Sequence, residues 1–191
     1  MEKRTLVFLA EGFEEVEAVT PLDYLRRAGI EVISASAGEG KTVKGAHGIS
    51  LAADLLLADL ERAGKLKAAF WDCALVPGGM PGASNLAACT LAGTFFKEMA
   101  AAGKIIAAIC ASPAVFLAPL GILKGKRFTC YPGMEKDVRE GLWTAERTVA
   151  DGNLVTGQGP GTAAEFALAL VEKLAGETAA EDLAGAALLK A

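Results

Sequence analysis

The chain has 191 residues, the length of a single domain with one core, and its 52% hydrophobic content excludes a disordered chain. A formal net charge of −4 argues against a nucleic-acid-binding module, which needs a basic surface to neutralise phosphates. Four cysteines without a C-x-x-C pair, beside one histidine, indicate neither a disulfide framework nor a zinc site, so we predict reduced thiols, no bound metal and a cytoplasmic protein.

One stretch of the chain has the length of a membrane span, since residues 105–123 carry no charged side chain. Pro113, Pro119 and Gly121 interrupt it, and its first five residues have the pattern of a buried strand rather than of a helix. The apolar run near the start of the chain is too short for a signal peptide. We therefore expect a protein without membrane contact.

Two kinds of apolar pattern alternate along the chain. Short apolar runs without polar alternation indicate strands buried on both faces, and apolar residues three or four apart indicate helices. In chain order they predict a strand over 5–10, a helix over 14–28, a strand over 30–36, a hairpin over 43–51, a helix over 55–63, a strand over 74–76, a helix over 90–102, a strand over 105–109, a helix beginning within 114–120, a strand over 128–130, a hairpin of strands 147–150 and 153–156, and helices over 163–174 and 181–189. This alternation predicts an α/β fold with a mostly parallel sheet, in one domain over 1–191. Ligands of such sheets bind beyond the carboxyl ends of the strands.

Cys110 directly follows the predicted strand 105–109, at the edge of the sheet where ligands bind. Pro113 suits the first turn of a helix, so we expect the thiol at a helix N-terminus, where free N–H groups and the helix dipole stabilise a thiolate. The small neighbours of Cys110 also suit a sharp strand-to-helix elbow that exposes a nucleophile, although G-x-S-x-G is absent. A buried structural cysteine is equally consistent with the residues. The other three cysteines lack this setting and are expected to be core or surface thiols.

A reactive thiol needs a proton acceptor, and the chain offers one imidazole and a group of carboxylates. His47 lies in a predicted hairpin, where an exposed loop histidine is the simpler interpretation. The carboxylates that follow the first strand are Glu11, Glu14, Glu15 and Glu17. Val16 and Val19 set the predicted apolar face of the helix and Glu17 lies between them, so we expect a carboxyl that turns inward, with a raised pKa, and hydrogen-bonds a thiolate in its protonated form. The alternative, acids that complement the helix dipole, explains the other carboxylates better than Glu17.

Two glycine-rich turns follow predicted strands. Pro77-Gly78-Gly79 offers backbone N–H groups that can hold an oxyanion, and an ordinary tight turn is the alternative. The segment Gly157-Gln158-Gly159-Pro160-Gly161 follows a strand and opens a helix. It is G-x-G-x-G rather than the G-x-G-x-x-G of dinucleotide sites, and it lies far from the first strand. We therefore predict no nucleotide cofactor.

Five ordered segments, spread over nearly the whole chain, resemble the DJ-1/PfpI family and more closely its DJ-1/ThiJ branch. They are Ala10-Glu11-Gly12-Phe13-Glu14-Glu15-Val16-Glu17, Arg26-Arg27-Ala28-Gly29, Val76-Pro77-Gly78-Gly79, Ala107-Ala108-Ile109-Cys110-Ala111-Ser112-Pro113 and Gly159-Pro160-Gly161-Thr162. The resemblance implies a flavodoxin-like, three-layer α/β/α sandwich with a nucleophile elbow, and a homodimer. It implies that Cys110 is the reactive, easily oxidised cysteine and that Glu17 is the protonated carboxyl in contact with its thiolate. It further implies that the amides of Gly78 and Gly79 face the sulfur and that Arg27 reaches the neighbouring subunit's site.

Four positions depart from the patterns of this family. Tyr131 stands where the DJ-1-like pattern often has a histidine beside the cysteine, which weakens any Cys–His mechanism. His47 stands where that pattern has an arginine near the site entrance, and Gln158 replaces another arginine. Ala111 stands where the protease-like branch has a histidine, which counts against peptidase activity.

Two functions fit this resemblance and these residues. The first is a cofactor-independent enzyme on small reactive aldehydes, with glyoxalase or deglycase activity and a role in stress protection. In it Cys110 adds to methylglyoxal, backbone amides hold the oxyanion, and Glu17 is the general acid and base that leads to lactate. The alternative is a redox-sensing or chaperone-like dimer without a dedicated substrate, whose Cys110 is oxidised to a sulfinate. The candidate oxyanion amides are those of Gly78, Gly79 and Ala111, and the candidate substrate-site residues are Arg27, His47, Tyr131 and Gln158.

Overall fold

The computed structural model describes residues 3–189. Its strands are β1 (Arg4–Leu9), β2 (Glu31–Ser36), β3 (Thr42–Lys44), β4 (Ser50–Ala52), β5 (Leu55–Leu56), β6 (Cys73–Val76), β7 (Ile105–Ile109), β8 (Arg127–Phe128), β9 (Leu142–Trp143), β10 (Thr148–Asp151) and β11 (Leu154–Gly157). A seven-stranded sheet has the order β10-β11-β7-β6-β1-β2-β5. The edge strand β10 runs antiparallel to β11, and the other neighbours in this sheet are parallel.

Helices cover both faces of this sheet. They are α1 (Glu15–Arg27), α2 (Leu57–Arg62), α3 (Gly82–Ala87), α4 (Thr90–Ala101), α5 (Ala163–Ala175) and α6 (Glu177–Ala186). On one face α1 and α5 bury Leu25 and Phe166, and on the other α2 and α4 bury Leu60 and Phe95. Because side chains alternate along a strand, the uniformly apolar central strands supply both cores. The predicted α/β fold with a mostly parallel sheet between two helical layers is confirmed.

Several short elements differ from their predictions, because few residues determine them. Leu55 and Leu56 pair with β2 as an edge strand before α2 begins. The sequence does not predict α3, whose small residues have no apolar repeat, or β9, which pairs with β8 outside the central sheet. The strand expected over 128–130 is present as β8, but it covers only Arg127–Phe128 and pairs with β9 instead of joining the central sheet. The last helix begins at Glu177 and ends at Ala186 rather than covering 181–189.

The buried face of α1 also differs from the predicted one. Val16 and Val19 are 49% and 46% exposed, whereas Leu22 and Leu25, which continue the same three-residue spacing, are buried. A spacing of three residues drifts around a helix that has 3.6 residues per turn, so the four apolar positions do not share one face. Glu17 turns inward, as predicted, and is fully buried.

The uncharged stretch 105–123 forms a strand followed by turns. β7 lies in the middle of the sheet, between β6 and β11. In place of the helix expected within 114–120, one π-helical turn covers Pro113–Leu117. Within residues 3–189, no helix is both long and apolar enough to cross a membrane.

Candidate active site

The carboxyl end of β7 places Cys110 in a strained turn. Its φ is 64°, in the left-handed region that residues other than glycine rarely adopt, at a cost of about 1–3 kcal/mol. The backbone holds this conformation, because the Cys110 N–H donates to the carbonyl of Gly157 (3.0 Å) and the Cys110 carbonyl accepts from the N–H of Tyr131 (2.8 Å). Nearby, Ser112 Oγ donates to the carbonyl of Pro77 at 2.6 Å. The predicted elbow is present, although only one π-helical turn follows it.

The first turn of α1 brings Glu17 to the thiol. Its carboxyl lies beside the Cys110 side chain, close enough for each group to shift the pKa of the other, and its Oε2 accepts the N–H of Gly78 at 2.8 Å. Its Oε1 is buried and has no regular hydrogen-bond partner within residues 3–189. A proton on Oε1 therefore displaces no existing hydrogen bond, and this carboxyl is suited to hold a proton.

Gly78 allows the carboxyl and the thiol to meet. A Cβ atom at this position would lie 2.6 Å from Cys110 Cβ and 2.7 Å from Glu17 Oε2, closer than non-bonded atoms approach. The N–H of Gly78 donates to the Glu17 carboxyl, whereas it was expected to face the sulfur. The amides of Gly79 and Ala111 lie close enough to the sulfur to act to lower the pKa of Cys110. These two donors are available to negative charge that develops beside the thiol.

Burial raises the pKa of both groups. Burial, with a smaller contribution from the Glu14 charge, raises the pKa of Glu17 from 4.5 to about 7 against the opposing hydrogen bonds. Burial, followed by the charge and the hydrogen bond of Glu17, raises the pKa of Cys110 from 9.0 to about 12 against the two elbow amides. These contacts do not provide the expected thiolate at the N-terminus of a long helix. Near neutral pH the two groups instead share one proton, and they titrate as a pair.

His47 lies over the start of α1 rather than against the thiol. Its Nδ1 is 3.1 Å from Glu15 Oε2 and 3.3 Å from Glu14 Oε2, and its side chain is 69% exposed, as expected of a loop histidine. The hydrogen bond to Glu15 and the charges of both carboxylates raise the pKa of His47 above its usual 6.5. The sequence does not reveal this contact, because spacing says nothing about where a hairpin lies relative to a helix.

Tyr131 and Gln158 lie beside the elbow. The backbone N–H of Tyr131 donates to the carbonyl of Cys110. The Tyr131 side chain is half exposed, and its ring lies next to Gly159. Gln158 follows Gly157, whose carbonyl accepts the Cys110 N–H. The Nε2 atom of Gln158 is 3.5 Å from the carbonyl of Ala145. The backbones of both residues therefore border the candidate site, and a contact with substrate stays a prediction.

Arg27 lies away from Cys110 in the same chain. It is the last residue of α1 and pairs with Asp23 one turn earlier. Ten residues separate it from Glu17, which is about 15 Å of helix. A role for Arg27 at a catalytic site would need a second copy of the chain, as the resemblance implies, and it also stays a prediction.

The sequence interpretation missed the groups that hold the elbow in place. Ser112 and the carbonyls of Pro77 and Gly157 make buried hydrogen bonds there. Pro77 directly follows β6, and Gly157 is the last residue of β11. The rule that sites form at the carboxyl ends of strands already pointed to these positions, but their partners depend on strand order, which the sequence does not state.

A cysteine on a strained strand-to-helix elbow, with a buried carboxyl against its thiol, defines an α/β protein with a potential cysteine nucleophile. A family model described as the DJ-1/PfpI family matches residues 3–173, and the chain belongs to this family. It is 39% identical over 186 residues to protein dj-1beta of Drosophila melanogaster, covering 96% of each chain. The crystal structure of Drosophila melanogaster DJ-1beta matches with a TM-score of 0.92 and 37% identity over 100% of both chains.

Two further relatives are matched over different fractions of their own length. The chain is 36% identical over 178 residues to the glutathione-independent glyoxalase DJR-1.2 of Caenorhabditis elegans, covering 92% of this chain and 90% of that protein. It is 39% identical over 184 residues to protein DJ-1 homolog B of Arabidopsis thaliana. That match takes in 96% of this chain but 41% of the Arabidopsis protein, so this chain spans less than half of that relative's length.

Proposed function

We propose that the protein is a cofactor-independent enzyme that converts small reactive aldehydes such as methylglyoxal to hydroxy acids, here lactate. The observation that carries this proposal is the contact between the strained Cys110 and the buried Glu17, whose pKa is raised to about 7. A carboxyl that gains and loses a proton near neutral pH suits general acid and base catalysis. The name of the Caenorhabditis elegans relative, a glutathione-independent glyoxalase, supports the same activity.

The proposed reaction begins with the proton shared by the pair. Glu17 takes the thiol proton, and the Cys110 sulfur adds to the aldehyde carbon of methylglyoxal. The new oxyanion forms beside the amides of Gly79 and Ala111 and takes the proton back from Glu17, which gives a hemithioacetal.

Glu17 then acts as the base in the isomerisation. It removes the hydrogen of the former aldehyde carbon as a proton and returns it to the neighbouring ketone carbon, while the hydroxyl proton of the hemithioacetal passes to the ketone oxygen. These two proton transfers convert the hemithioacetal to a thioester of lactate. Water hydrolyses the thioester, releases lactate and restores the thiol. The oxidation of one carbon balances the reduction of the other, so water is the only co-reactant.

The proposal includes a homodimer formed through α1. Val16 and Val19 expose an apolar pair on this helix, which supports a contact with a second copy. A second copy is also required if Arg27 is to reach a site, because it lies a helix length from Glu17. We propose a cytoplasmic role in protection against aldehyde stress, with Tyr131, Gln158 and His47 around the entrance.

Lactate production from methylglyoxal tests the activity. Cys110→Ser and Glu17→Gln are expected to lose at least about 100-fold in kcat/KM, the usual worth of a nucleophile or a general acid and base. Cys89→Ser, which changes the other partly exposed thiol, and Glu11→Gln, which changes an exposed carboxyl of the same loop, are the matched controls. Equal rates in all five proteins would overturn the mechanism.

Redox sensing by the same thiol is the second candidate. The two amides at the sulfur, together with a protonated Glu17, form a set of donors that suits the oxygens of a sulfinate. Mass spectrometry after mild peroxide treatment separates the candidates. Selective oxidation of Cys110 without turnover of aldehydes supports the sensor, and earlier oxidation of Cys73 or Cys89 contradicts it.

A further inference from the structure

Two carboxylates and one imidazole converge above the first turn of α1. The side chains of Glu14 and Glu15 are only 13% and 7% exposed, whereas His47 is largely open to solvent. One atom from each side chain, a carboxylate oxygen or a ring nitrogen, lies within 4.8 Å of the other two. The imidazole distinguishes this cluster from an ordinary acidic surface, because it adds a nitrogen ligand to two oxygen ligands.

We propose that Glu14, Glu15 and His47 form a binding site for a divalent transition metal ion of the zinc type. Each side chain supplies one ligand atom, and water completes the coordination on the open side of His47. The proposed ligands include neither Cys110 nor Glu17, so the metal-binding test does not depend on the aldehyde chemistry. It departs from the sequence prediction of no metal, which rested on a count of one histidine and on the absence of paired cysteines.

The spacing of the three ligand atoms fits such an ion. Ligands about 2.0–2.1 Å from Zn²⁺ stand about 2.8–3.4 Å from one another at octahedral or tetrahedral angles. His47 Nδ1 lies 3.1 Å from Glu15 Oε2 and 3.3 Å from Glu14 Oε2, and all three ligand atoms lie within 4.8 Å of one another. The two separations that involve the imidazole therefore already match those of ligands around one ion.

Glu15 is held in an orientation that suits ligation. Its Oε1 accepts the backbone N–H groups of His47 (2.8 Å) and Ile49 (3.2 Å), so Oε2 is left to face the imidazole. Gly45 makes room for this arrangement, because a Cβ atom there would lie 2.3 Å from the Glu15 carboxyl. Hydrogen bonds of this kind orient carboxylate ligands in metal sites.

The charge of the cluster also favours a cation. His47 is the ion-pair partner that both carboxylates share, and within residues 3–189 neither has another. Two carboxylate ligands balance the charge of one divalent cation, and a neutral imidazole adds a third ligand without adding charge.

The ligand set indicates which ions to test. Imidazole favours Zn²⁺, Co²⁺ and Ni²⁺ over Mg²⁺ and Ca²⁺, which take oxygen ligands. Cobalt is informative because a thiolate ligand adds an intense near-ultraviolet absorption band that oxygen and nitrogen ligands do not. A Co²⁺ spectrum therefore separates this site from adventitious binding at Cys110.

Isothermal titration with Zn²⁺ and absorption spectra with Co²⁺, both on the full chain, test the proposal. We expect one Zn²⁺ per chain, with a Kd that rises at least tenfold in His47→Ala, Glu14→Gln and Glu15→Gln, and we expect no thiolate band with Co²⁺. Cys110→Ser and Glu11→Gln are expected to change the Kd by less than twofold. Excess Mg²⁺ should not compete.

Three results would overturn the proposal. They are the absence of Zn²⁺ binding, a Kd that is unchanged in His47→Ala, and a Co²⁺ thiolate band that disappears in Cys110→Ser. His47→Ala changes an exposed loop side chain, so it keeps the test decisive even if Glu15→Gln alters the loop that packs over it. Thermal unfolding of each variant without metal identifies such an alteration.

Discussion

The carboxyl of Glu17 and the side chain of Cys110 lie side by side, although they come from the start of a helix and the end of a strand that are far apart in the chain. Neither group keeps its ordinary pKa, because burial raises both; Glu17 raises the pKa of Cys110 further, whereas the contact with Cys110 acts to lower the pKa of Glu17. The reactive arrangement, a thiolate beside a neutral carboxyl, differs from the resting arrangement only in the position of one proton.

The stability of the fold should decrease as pH rises over the range in which Glu17 titrates. Its pKa rises from 4.5 in the unfolded chain to about 7 in the native protein, so the native state holds more protons between these values. The free energy of unfolding should therefore decrease as pH rises through this window, by roughly 3 kcal/mol from this group. Urea denaturation of wild type and Glu17→Gln from pH 4 to 8 measures the effect. A difference between the two proteins that does not vary with pH would contradict the assignment.

Alkylation of Cys110 by iodoacetamide should follow the pair rather than the thiol alone. In wild type the rate should rise as the first shared proton leaves near pH 7 and then level off. Glu17→Gln removes the neighbouring charge and lowers the pKa of Cys110, so its rate should keep rising where wild type is level. His47→Ala is the control, and we expect it to leave the profile in place. A midpoint that moves in His47→Ala but not in Glu17→Gln would mean that the imidazole sets the thiol pKa.

Gly78→Ala should disable the site and weaken the fold. The new Cβ atom would overlap Cys110 and Glu17, at a cost of about 1–3 kcal/mol of stability. We expect the loss of lactate formation to exceed tenfold, because the carboxyl must move away from the thiol. Gly161→Ala is the matched control, since no heavy atom lies within 4 Å of its added Cβ. Activity near wild type in Gly78→Ala would show that the contact is not needed.

Arg27 can be tested by complementation between subunits. Val19→Glu should convert the proposed dimer to monomers in sedimentation velocity, while Leu188→Glu, at another exposed apolar side chain, should not. If Arg27 completes the partner's site, Arg27→Ala alone loses activity, and mixing it with Cys110→Ser restores about a quarter of the wild-type rate through mixed dimers. Full activity of Arg27→Ala by itself would remove this residue from the site.

The two substitutions at the entrance should matter less than the pair. Tyr131→Phe removes a hydroxyl that donates hydrogen bonds near pH 7 but cannot accept the thiol proton. We expect Tyr131→Phe and His47→Ala each to change kcat/KM for methylglyoxal by less than about tenfold, or about 1.4 kcal/mol of barrier. A larger loss in Tyr131→Phe would assign the hydroxyl a direct part in the reaction.

The contrast between Glu17 and Val19 shows how far the sequence predicts this site. The rule that ligands bind at the carboxyl ends of parallel strands was enough to select Cys110. Glu17 is buried as predicted, but that prediction rested on Val16 and Val19 as the apolar face, and both are exposed. The exposure of Val19 to solvent was not predictable, because apolar residues three apart can lie on either of two faces of a helix. The contact of His47 with Glu15 joins a hairpin to a helix across 32 residues, and no local pattern contains that information.

The hydrogen bonds of residue 110 come from its backbone N–H and carbonyl, which pair with Gly157 and Tyr131 whatever side chain the position carries. The backbone conformation of the elbow therefore does not depend on the sulfur atom. Serine or alanine can occupy it at the same strained φ, so a variant at this position changes the reactive atom and leaves the surrounding chain as it was. New chemistry could be introduced at this one position without rebuilding the loops that frame it.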